Sequence, residues 1–167
     1  VCTKLFHRDM FCDNRFVDGR LNEDVLYMFQ ISQKVNSMCY VSEIGYNYFT
    51  RNGSITRSFG KAIHDMVINA KEIMIFVEVC YQSLLQEAKR FRIFQIISFF
   101  RHCPLKYNGE KDNVYRDSLK YLRMNLFNGL FNPYLKFRDK IELIAICVSP
   151  KILSFVSPTS LYFTFLC

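Results

Sequence analysis

Apolar and polar positions divide this chain near residue 58. Up to that point the spacing is mixed. Cys2-Thr3-Lys4-Leu5-Phe6 reads as a short strand, and Asp18-Gly19 marks a turn. Asn22 stands where an N-cap belongs, before Glu23-Asp24, whose carboxylates suit the positive end of a helix dipole. The helix predicted from Glu23 carries Val25, Leu26, Met28, Phe29 and Ile31 and ends near Asn36. Met38 to Val41 and Ile44 to Phe49 look like two short strands separated by Ser42-Glu43, and Arg51-Asn52-Gly53-Ser54 is a loop.

After Phe59 the period becomes helical. Phe59, Ala62, Ile63, Met66, Val67, Ala70, Ile73, Met74, Val77, Tyr81, Leu84, Leu85 and Ala88 fall on one broad stripe. The spacing predicts a helix of about 30 residues, roughly 45 Å long at the usual rise. Lys89 to His102 either continues it or begins a second helix that ends before Pro104. A further helix is expected from Asp112 or Asn113 to Phe131, stopped by Asn132-Pro133. The stretch Ile141 to Leu166 is apolar but is broken by Glu142, Pro150, Lys151 and Pro158, which makes a poor membrane span. With Lys136, Arg138 and Lys140 ahead of it, it suits the plane of a membrane interface instead.

Charge sharpens this division. Residues 1–60 hold 7 Lys/Arg against 6 Asp/Glu, whereas residues 61–167 hold 15 against 9. The basic excess of the second region favours an anionic partner. Arg90, Arg92 and Arg101 interleave with Phe91, Phe94, Phe99 and Phe100. That mix fits core packing, a membrane surface or stacking on single-stranded nucleic acid, although no nucleic-acid motif accompanies it. The seven cysteines form no Cys-x-x-Cys pair and mostly sit in apolar stretches, so reduced, buried thiols in a cytosolic protein are expected. His7, His64 and His102 are scattered, and no metal-ligand spacing emerges.

Chemistry concentrates early. Lys4-Leu5-Phe6, Arg15-Phe16, Gly19, Glu23-Asp24 with Tyr27, Tyr46-x-Tyr48 and Arg51-Asn52-Gly53-Ser54 occur in that order. The series resembles the second half of the GT-A catalytic domain of family 2 glycosyltransferases and covers residues 1–58. The resemblance implies an α/β remnant over residues 1–58, followed by a mainly α-helical extension over 59–167. It implies Asp24 as the base that deprotonates an acceptor hydroxyl, with Glu23 orienting base or acceptor. Arg51 and Ser54 would touch the donor diphosphate, where a guanidinium suits phosphate oxygens. Lys4 is expected to be structural, and Tyr46 and Tyr48 to pack rather than bind.

The same resemblance implies inverting transfer from a nucleotide-sugar donor to a saccharide or lipid-linked acceptor, in surface-polysaccharide synthesis at the inner face of the cell membrane. Nothing in the chain supplies the family's nucleotide-binding strands or its Asp-x-Asp motif. The implied Mg²⁺ or Mn²⁺ would therefore be held mainly by residues outside this sequence, and the chain would be an inactive fragment. The alternative is a non-enzymatic helical interaction or membrane-surface module, in which Asp24 is only a solvated helix-start residue.

Overall fold

The computed structural model describes residues 3–11, 15–47, 49 and 59–156, and everything regular within them is helical. A 3-10 turn at Arg8–Phe11 precedes α1 (Glu23–Ser32). Then come α2 (Lys61–Cys80), α3 (Leu85–His102), α4 (Asn113–Met124), α5 (Leu126–Leu130), α6 (Phe137–Val148) and α7 (Leu153–Val156).

This corrects the α/β expectation. Among the described residues there is no strand, either at Leu5-Phe6 or over 38–47, where both short strands were expected. A short run of β-favouring residues becomes a strand only if a neighbouring strand supplies the ladder of hydrogen bonds. Among the described residues none lies beside Met38, Tyr40, Val41 or Ile44, whose side chains are exposed.

The single long helix also resolves into two. The chain reverses at Tyr81, whose backbone (φ −140°, ψ 63°) leaves the helical region, and Gln82–Leu84 forms a 3-10 turn before α3. No Gly or Pro marks the place. Because α2 and α3 bury their apolar faces on each other, one stripe runs unbroken through the reversal. They form an antiparallel hairpin in which His64, near the start of α2, meets Phe99, near the end of α3, with ring centroids 5.3 Å apart.

The core is built on this hairpin. Ile93, Ile96, Ile97, Phe99 and Phe100 of α3 pack with Ile63 and Val67 of α2, Leu122 of α4, and Leu143 and Ile146 of α6. A second cluster joins Leu26 of α1 to Ile73, Met74 and Val77 of α2 and Ala88 of α3. Fully burying each such side chain is worth roughly 1.5–3 kcal/mol. Gly129 lets α5 approach closely: a Cβ there would stand 2.5 Å from Leu143 Cδ2 and 3.3 Å from Ile93 Cδ1.

Caps explain the boundaries. Asp112 accepts the Val114 N–H at 2.8 Å and starts α4, as its position in the sequence predicts. Asn22 does precede α1, but it adopts a left-handed backbone (φ 52°), a region Asn tolerates better than most residues. Its side chain does not cap α1; Nδ2 donates to Ala62 O at 2.6 Å. The helix expected over 112–131 breaks at Asn125 into α4 and α5, then ends before Asn132-Pro133.

Candidate interaction surface

The residues singled out in the sequence do not converge. Glu23 and Asp24 occupy the first turn of α1, Glu23 partly buried and Asp24 exposed. Tyr27, on the same helix, is buried and stacks on Phe16 at 4.1 Å. A groove of about 590 Å³ opens between α1 and α2, lined by residues including Leu26, Phe29, Gln33, Lys34, Glu72 and Phe76; neither acid lines it. Arg51, Ser54 and Tyr48 lie outside the described residues. Lys4 and Tyr46 are exposed. Among the described residues no group of three His, Cys, Asp or Glu side chains could hold a metal ion, so they offer no cage for the implied Mg²⁺ or Mn²⁺. Cys39 and Cys80 are exposed rather than buried, and Cys103, partly buried, has its thiol pushed up to about 12 by desolvation and by the charge of Asp112.

Three polar clusters that the sequence reading did not identify hold the helices in place. Near the start of α2, Asp65 accepts the Leu21 N–H at 2.8 Å, and the buried Asn69 donates to Leu21 O and Asn22 O at 3.3 and 2.9 Å. Arg20 donates to Asn69 Oδ1 at 2.8 Å and pairs with Glu72 at 3.0 Å. Together they fasten the turn before α1 onto α2. Their signal in the sequence is Asp65 and Asn69, polar residues four apart that interrupt an apolar stripe.

The second cluster joins α2 to the start of α4. His64 Nε2 lies 2.8 Å from Asp112 Oδ2, and its Nδ1 lies 2.8 Å from Gly60 O. The imidazole thus bridges the Gly60 carbonyl and the Asp112 carboxylate with both of its ring nitrogens. Tyr107 donates its phenol to the same Asp112 oxygen at 2.8 Å. Burial alone would raise the Asp112 carboxyl, but the hydrogen bonds from Tyr107, His64 and the Tyr115 N–H outweigh it and hold it below the usual carboxylate range. Partial desolvation and the bond to Asp112 push the Tyr107 phenol up to about 12.

The third cluster ties α3 to α6. Arg101 donates from Nε to Glu142 Oε2 at 2.7 Å and from Nη2 to Asp139 Oδ1 at 2.9 Å. Arg138 reaches the other Glu142 oxygen at 3.1 Å. Glu142 is fully buried, so these guanidinium contacts compensate its charge.

What remains is a surface rather than a cleft. The inward side of α6 carries Asp139, Glu142, Leu143, Ala145 and Ile146. On its opposite side Phe137, Ile141, Ile144 and Val148 recur at helical spacing and are 78, 39, 44 and 67% exposed. Against this helix packs α5, which adds the exposed Phe127 and, just past its end, Phe131. Scattered apolar residues on a surface need no explanation, but a complete helical stripe of them does. No helix among the described residues is long and apolar enough to cross a membrane. No protein-family profile, curated protein or solved structure matches the chain.

Proposed function

We propose that the chain is a non-enzymatic helical module that lies on a membrane surface through the outer face of α6, with α5 beside it. The observation behind this reading is the stripe Phe137, Ile141, Ile144 and Val148, set opposite the buried side of its own helix. Such a helix settles at the boundary of headgroups and acyl chains without spanning the bilayer. Inserting three or four large apolar side chains supplies several kcal/mol, against roughly 8 kcal/mol for a micromolar association.

The chain has no tryptophan, which gives a direct test. Phe137→Trp places a single fluorophore on the stripe, and adding lipid vesicles should shift its emission to the blue and raise its intensity. Unchanged emission at high lipid would sink the reading.

Sugar transfer, with Asp24 as base and Arg51 and Ser54 at the donor diphosphate, is the second reading. It rests on the order of segments over residues 1–58, and no described contact adds to it.

A further inference from the structure

The charges around the α6 stripe carry a separate message. Between residues 118 and 156 the only acids are Asp139 and Glu142, and both are buried on the inward side of α6 against Arg101. The basic residues of the same stretch are outside. Lys120, Arg123, Lys136, Arg138 and Lys151 are exposed, and Lys140 is partly exposed. Two of them have internal tasks, Arg138 pairing with Glu142 and Arg123 donating to Cys147 O at 3.1 Å. Lys136 and Lys140 bracket Phe137 at the start of the stripe, with long stems able to lift their ammonium groups to headgroup level while the ring goes deeper. An ordinary helix of this composition would set its acids on the solvent side, where they would repel a negative surface. Here the ion-pair cluster removes them.

We infer that the partner of this face is a bilayer rich in anionic lipid, with α6 lying in its plane and the lysines among the phosphate and carboxylate headgroups. The inference rests on the membrane reading above and adds to it the class of lipid. The apolar stripe alone would not distinguish zwitterionic from anionic membranes. The one-signed rim does, because each Lys or Arg near an anionic surface strengthens binding about five-fold, an effect that salt weakens.

The test is co-sedimentation of the full chain with phosphatidylcholine vesicles, with and without phosphatidylserine, at low and high salt. Binding should be much stronger with phosphatidylserine and should fall as salt rises. The double variant Lys136→Gln/Lys140→Gln should lose roughly 25-fold in affinity for the anionic vesicles and change little on phosphatidylcholine. Val148→Glu, at a stripe position two-thirds exposed, should weaken binding to both, with its thermal melt checked against the wild type. Equal binding to the two vesicle types, insensitive to salt, would overturn the anionic-lipid inference and leave the membrane reading standing. A folded chain, checked by its thermal melt, that binds neither would overturn both.

Discussion

His64 and Asp112, 48 residues apart in sequence, are joined by a 2.8 Å contact between Nε2 and Oδ2 that fixes the start of α2 to the start of α4. Asp112 serves three elements at once: it receives His64, receives the Tyr107 phenol and caps α4 through Val114.

Asp112→Ala should therefore cost more than an ordinary cap. Loss of the cap alone is worth about 0.5–2 kcal/mol, and with the half-buried charge-assisted bonds we expect roughly 2–3 kcal/mol. The sign of the pH dependence follows from the lowered carboxyl of Asp112. A depressed group contributes stability that is fully present above its unfolded value of about 3.9 and is lost as pH falls through the still lower folded value. The difference in urea midpoint between the wild type and Asp112→Asn should hold steady from neutral pH down to that range and narrow below it. A gap that closes well above that range would contradict the assignment.

Arg101 stands between two buried carboxylates, and Arg101→Met leaves both short of a partner. Breaking such a pair costs about 3–5 kcal/mol, and the lower end applies because Arg138 still reaches Glu142. Adding Asp139→Asn and Glu142→Gln to the same variant should restore most of the loss. Chemical denaturation of the single and triple variants measures both numbers, and a triple variant no better than the single one would show that charge is not what the cluster balances.

Asn69 is 1% exposed and makes three hydrogen bonds to the turn before α1. Asn69→Leu takes the side-chain donor from Leu21 O and leaves Asn22 O with only the Val25 N–H and Arg20 with only Glu72, at a cost of roughly 1–2 kcal/mol. The stronger signature is local: limited proteolysis should cut near residues 19–22 faster than in the wild type, while the α2–α3 hairpin stays resistant. Uniform loss of resistance along the chain would mean that Asn69 supports the whole core instead.

The sequence discloses those elements whose signals are local. Glu23-Asp24 after Asn22 marks the start of α1, and Asp112 marks that of α4, because caps and dipoles act within one turn. The reversal at Tyr81 was illegible since packing sets it, with no residue of special backbone freedom. The apparent strands at 38–49 failed for the opposite reason. Strand propensity is a local property, but a sheet is a relationship to another segment, and the described residues supply none beside that stretch. Of the candidate surface, the cations ahead of Ile141 and the apolar segment after them were readable. That Glu142 turns inward was not: in the sequence it reads as a flaw in an apolar run, whereas Arg101, 41 residues earlier, makes it part of the core.

The tight reversal between α2 and α3 also orders events in time. Closing so short a loop costs little chain entropy, and the two long helices meet through neighbours close in sequence. The hairpin is thus the natural nucleus, onto which α4 and α6 condense as their buried leucines and isoleucines find Ile93 and Phe99. The segment carrying α1 returns to it across some forty residues and is held at its turn by polar pins. It would dock last on refolding and be first to detach under stress, leaving a still-folded body that carries α6 and its lysines.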